Sequence, residues 1–151
     1  MRPLKWLFVL VFASASFGGL HAQQIRSFKV RLSPVPIDAS MLATVAGSGS
    51  LSAVLSGNKL TITGSFEGLR SPATIAQVHK GPVRGVRGPV VTDLTVTKAA
   101  DPTGGTIGAT LDLTALQIAD LEKGRLYVQL SSEKAPDGNL WGWLLPQENR
   151  R

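Results

Sequence analysis

The sequence predicts an all-β protein, an antiparallel, Greek-key-like β-sandwich of about eight strands with one short helix near 114–123. Three observations carry that expectation. From Phe28 onward, apolar and polar residues alternate with period two in short runs. Gly, Pro, Asn and Asp break those runs at strand-length intervals. The chain has no cysteine, so an apolar core and not a set of cross-links must hold the fold.

At the amino end, Arg2 and Lys5 precede an apolar run from Trp6 to Phe17, followed by small residues and Leu20-His21-Ala22. This order reads as a secretory signal peptide over 1–22, with cleavage expected after Ala22. The apolar run is about a dozen residues, short of the roughly 20 that a membrane-crossing helix needs. No later segment is apolar enough to span, so the expected product is a soluble exported protein, periplasmic or extracellular. Losing Arg2 and Lys5 lowers the formal charge from +6 to +4. The cations are dispersed, which argues against nucleic acid as a partner.

The remaining chain is the size of one domain. Residues 23–27 are expected to be loose, 28–146 to form the domain and 147–151 to be a polar tail. The first strand is expected at 28–33. A hairpin joins 51–55 to 60–66 across Ser56-Gly57-Asn58-Lys59, with Leu60, Ile62 and Phe66 on one face and Thr61, Thr63 and Ser65 on the other. Further strands are expected at 74–79, 90–96, 106–113, 125–131 and 140–145. The helix is bounded by clear signals. Thr114 can cap it, Gln117 can return the capping bond, Leu113 can pack on Ile118, and Gly124 can end it in the left-handed conformation.

Four blocks then point to a family. They are Thr74-Ile75-Ala76-Gln77-Val78-His79-Lys80-Gly81-Pro82, Gly88-Pro89-Val90-Val91, Gly124-Arg125-Leu126-Tyr127-Val128-Gln129-Leu130, and Pro136-Asp137-Gly138-Asn139-Leu140-Trp141-Gly142-Trp143-Leu144. In order and spacing they resemble the CHRD (chordin) domain over nearly the whole of the expected mature chain. The resemblance implies an antiparallel β-sandwich distantly similar to copper/zinc superoxide dismutase, in a family with many single-domain exported bacterial members. It constrains architecture more than role.

The departures from that pattern bear on function. Typical members carry His-x-His where this chain has Gln77 and His79, and another histidine where it has Ser131. Residues two apart on a strand share a face, so three such imidazoles could hold a metal. Gln77 and Ser131 supply only weak neutral oxygens. No metal or other cofactor is therefore expected, and His79 is read as a hydrogen-bonded structural residue.

In the last strand, Trp141 and Trp143 stand where members usually have Arg and Gln. Alternation puts both indoles opposite Leu140 and Leu144, on the face expected to carry Tyr127, Gln129 and Ser131. They could form an exposed platform for a protein, a glycan or a second copy of the chain. Cover by the 114–123 helix or by a long loop is the reading favoured by the general burial of large aromatics.

Lys80, Arg84 and Arg87 lie in a Gly- and Pro-rich loop. They could receive an anionic envelope polymer, although a solvated loop is the plainer reading. The loop matches no phosphate-binding fingerprint.

Catalytic arrangements fail by elimination. Gly47-Ser48-Gly49-Ser50 lacks the context of a nucleophile elbow, a cysteine nucleophile is impossible, and the acid pairs Asp120/Glu122 and Asp93/Asp112 read as exposed helix and sheet residues. The expected function is thus a non-catalytic exported module that binds a protein, a glycan or an envelope component. The alternatives are a superoxide-dismutase-like metal protein that has lost most of its ligands, and a binder of anionic envelope polymers.

Overall fold

The computed structural model describes residues 24–35 and 38–147. The signal reading at 1–22 and the tail beyond Gln147 lie outside the described residues. In chain order the elements are β1 (Ile25–Pro34), a 3-10 turn (Ala39–Ala43), β2 (Ser48–Ser56), β3 (Lys59–Glu67), β4 (Ala73–Lys80), β5 (Val90–Lys98), β6 (Gly105–Asp112), α1 (Ala115–Glu122), β7 (Leu126–Ser132), β8 (Ala135–Trp143) and β9 (Leu145–Pro146).

Period two sorts the residues as expected. Phe28, Val30 and Leu32 of β1, Leu51, Ala53 and Leu55 of β2, and Leu60, Ile62 and Phe66 of β3 are all buried in one core. The residues between them face outward. The β2–β3 hairpin closes at the Ser56↔Lys59 pair, leaving Gly57 and Asn58 as its turn. Gly57 has φ 62°, the glycine-first geometry that matches the twist of the flanking strands.

All strand pairs are antiparallel, but the layers are not a sandwich. The order β1-β2-β3-β6-β5-β4-β7-β8 returns to β1, so eight strands close into a barrel, with short β9 beside β1. Two strands make the difference because each serves both sheets. β1 pairs with β2 from Ile25 to Leu32 and then with β8 at Ser33 and Pro34. β5 pairs with β4 through Val90–Leu94 and with β6 through Thr95–Lys98. Strands that switch sheets in this way turn the corners of a barrel. The Greek-key part of the expectation holds, since β3 lies beside β6 while β4, β5 and β6 form consecutive hairpins.

Glycine permits the bending. Gly49, Gly64 and Gly142 sit at inward positions. A Cβ there would run into backbone on the neighbouring strand: Ser65 O at 2.6 Å for Gly49, Leu51 Cα at 2.7 Å for Gly64, and Arg31 O at 2.7 Å for Gly142.

Three boundary expectations need correction. Residues 25–27 are not loose; they pair with Ser56, Leu55 and Val54, and Arg26 also forms an ion pair with Glu122. Gln147 N–H donates to Ser27 O at 3.1 Å, which ties down the first residue of the expected tail. The strand expected at 140–145 begins earlier, at Ala135, and β8 runs to Trp143.

The helix follows its signals. Thr114 Oγ1 accepts from Gln117 N–H at 3.2 Å and Gln117 Oε1 accepts from Thr114 N–H at 2.8 Å, a reciprocal cap. Gly124 ends it with φ 65°. Leu121 is fully buried and Ile118 packs against the core, so α1 closes one end of the barrel. Among the described residues, no helix is long and apolar enough to cross a membrane.

Asp120 ties α1 to the strands. Its buried carboxylate lies 2.6 Å from Lys80 Nζ and 3.5 Å from Arg125 Nη1. The Lys80 hydrogen bond, reinforced by both positive charges, holds its pKa below the ordinary 3.8. A depressed folded-state value means that the stabilisation is complete above the unfolded pKa and is lost as pH falls through the folded one. Asp120→Asn is therefore expected to cost about 1.5 kcal/mol at pH 7, the low end for a charged hydrogen bond because both cations are partly exposed. Urea midpoints should show the gap from wild type narrowing below about pH 4.

Candidate functional site

The outer face of β4, β7 and β8 collects most of the residues that the sequence singles out. Register sets Gln77 beside Gln129 and His79 beside Tyr127. It also sets Gln129 beside Trp141 and Tyr127 beside Trp143. Tyr127 is the centre of this array. Its ring stacks on His79 (centroids 5.0 Å, 17° between planes) and on Trp141 (5.5 Å, 4°), and meets Trp143 at 4.6 Å and 41°.

The array is covered. The segment 81–89, between β4 and β5, folds over it and is pinned at Gly88. Gly88 N–H donates to Tyr127 Oη at 3.1 Å, while Gly88 O accepts from Tyr127 Oη at 3.3 Å and from His79 Nδ1 at 3.0 Å. Arg87 is a second clamp. Its guanidinium lies 4.2 Å from the centroid of a Trp141 ring and donates to Asp137 O at 2.6 Å and Gln129 Oε1 at 3.3 Å. Tyr127 is consequently inaccessible, Trp141 is 6% exposed and Trp143 is half-buried. Of the two readings open for the tryptophans, cover by a loop is the one observed, and that loop is 81–89, not the helix.

The same contacts disperse the three loop cations. Lys80 turns to Asp120 and Arg87 to Trp141, Gln129 and Asp137. Arg84 is left solvent-exposed. No three-cation anion site is assembled.

The donor set does not fit copper or zinc. Gln77 Nε2 donates to Asp93 Oδ1 at 2.8 Å and Ser131 Oγ donates to Pro136 O at 3.0 Å. A carbonyl oxygen can only accept, so the His79–Gly88 contact places the His79 proton on Nδ1. His79 Nε2 is the one other imidazole nitrogen of the array, and it is buried and unpartnered. One nitrogen with no second strong ligand beside it is not a tetrahedral N/S site. Among the described residues, no three His, Asp or Glu side chains come together as ligands. The buried indole Nε1 of Trp141 also has no hydrogen-bond partner and lies against Gly138.

A different surface is open. On the outer wall of β1, β2 and β3, Arg31 stands beside Ser50 and Ser50 beside Ser65; Lys29 stands beside Ser52 and Ser52 beside Thr63. Two adjoining open grooves cross this wall. One of about 450 Å³ includes Arg31, Ser48, Ser50, Ser65 and Glu67 in its lining. The other, of about 440 Å³, includes Lys29, Ser50, Ser52, Thr63 and Ser65. The sequence carried a trace of this face in its alternating hydroxyls at 48, 50, 52, 61, 63 and 65, but only the register of β1 on β2 brings Lys29 and Arg31 to it.

The CHRD domain model matches residues 29–144, from the middle of β1 to the residue after β8. The chain belongs to the CHRD domain family. No curated protein and no solved structure matches it. The matched span includes both walls of this CHRD domain, the loop-covered aromatic array and the open hydroxyl-lined grooves.

Proposed function

We propose that this CHRD domain is an exported, non-catalytic module that binds a component outside the cytoplasm through the surface of a rigid barrel. The observation that carries this reading is how its reactive side chains are employed. His79, Tyr127, Gln129, Arg87 and Lys80 hold the 81–89 loop and the helix in place, through bonds that a substrate would have to displace. Catalytic groups need a face open to substrate, and this one is covered. The signal-like order of residues 1–22 supports export.

Two measurements test the reading together. The protein recovered from the producing cell is expected outside the cytoplasm with Gln23 as its first residue. Purified protein is expected to sediment saturably with isolated cell envelopes. Cytoplasmic retention with an intact amino end, or no saturable sedimentation, would overturn it.

A further inference from the structure

We infer that the grooved wall of β1, β2 and β3 is a binding surface for an acidic polysaccharide, with Lys29 and Arg31 meeting its carboxylate or sulfate groups. The assignment rests on the binding-module reading above and names its site and ligand class.

Charge complementarity is the first argument. Lys29 and Arg31 are two residues apart on β1, so they project from one face about 6.8 Å apart. Both are exposed, and neither is ion-paired among the described residues. Four other cations are already engaged: Arg26 with Glu122, Lys59 with Asp112, and Lys80 and Arg125 with Asp120. Glu67 lines the groove beyond Arg31 and repels an anion there, which confines acidic groups to the Lys29–Arg31 side.

The floor supplies the second argument. Ser50, Ser52, Thr63 and Ser65 are exposed hydroxyls on adjacent strands about 4.8 Å apart. Each hydroxyl both donates and accepts, as a sugar hydroxyl does, and their small size leaves the groove open.

Other occupants fit less well. An extended acidic peptide would dock by adding a strand, but β2 is paired along both its sides here and offers no free edge. A nucleic acid strand would want aromatic rings for its bases, and the outward residues of β2 and β3 include none. A lipid surface would want apolar side chains, and on β2 only Val54 faces out.

The test compares wild-type protein, Lys29→Glu/Arg31→Glu, and a control with the same charge change elsewhere, Arg84→Glu/Lys98→Glu. Binding is read by affinity electrophoresis and calorimetry at low salt against polygalacturonate, heparin, neutral dextran and poly-glutamate. All four substituted side chains are exposed, and tryptophan emission from the opposite wall reports whether each variant is folded. The expected result is wild-type binding to polygalacturonate or heparin, the stronger of the two naming carboxylate or sulfate as the recognised group. Dextran should not bind, and poly-glutamate should bind at least about tenfold more weakly. Lys29→Glu/Arg31→Glu should lose about tenfold or more while the control changes by less than about threefold.

Equal losses in both variants, equal binding of poly-glutamate, or no binding to either acidic polysaccharide would overturn the inference. If envelope sedimentation persists in that last case, the ligand assignment alone has failed. If sedimentation is also absent, the module reading has failed with it.

Discussion

Tyr127→Ala is expected to be among the most damaging single substitutions in this protein, costing about 3–5 kcal/mol. Tyr127 is fully buried, although it points away from the barrel interior. Truncation removes three ring contacts, with His79, Trp141 and Trp143, and the hydroxyl that exchanges hydrogen bonds with Gly88. It leaves a cavity beneath the 81–89 loop and Gly88 N–H without its partner. Tyr127→Phe isolates the hydroxyl and should cost only about 1–2 kcal/mol, the price of one buried donor left unpaired. Urea unfolding followed by tryptophan emission measures both, since Trp141 and Trp143 flank the site. A Tyr127→Ala cost below about 1.5 kcal/mol would mean that the loop does not cover the array.

Gly64→Val should abolish recovery of folded protein, through a cost of about 3 kcal/mol or more. A side chain at Gly64 would meet the Ser50 carbonyl and the Leu51 backbone, neither of which can rotate away. β3 is held by β2 on one side and β6 on the other, so it cannot slide to make room. Gly85→Ala is the contrasting case. Gly85 has φ +88°, yet nothing lies within 4 Å of an added Cβ. Its cost should be the backbone strain alone, about 1–2 kcal/mol. Soluble yield and urea midpoints compare the pair. Tolerance of Gly64→Val within about 1 kcal/mol would contradict the close approach of β2 and β3.

Much of the fold was legible because its determinants are local. Alternation placed Phe28, Val30 and Leu32 inside, and the Thr114/Gln117 cap marked where α1 begins. Closure was harder to read, because period two separates inside from outside without saying which strands are neighbours. Its trace was the occurrence of Gly49, Gly64 and Gly142 at positions where alternation called for an apolar side chain.

The candidate site was legible in composition but not in arrangement. Lys80 ends β4 and Arg87 lies in the loop that follows, yet their partners are Asp120, Gln129 and Asp137, far along the chain. The first half of β8 was hidden because Pro136-Asp137-Gly138 carries turn chemistry and sits at the register shift between the Ser132↔Ala135 and Leu130↔Leu140 pairs, with Gly138 at φ 119° beneath Trp141.

The seam where β1 meets β8 also sets an order of events. Ser33 and Pro34 can find Trp141 and Leu140 only after more than a hundred intervening residues have been made, so a growing chain holds an unfinished cylinder with two bare rims. Completion therefore comes late. Until then the protein is at its most vulnerable to sticking to its own kind, and no disulfide can secure the half-built state.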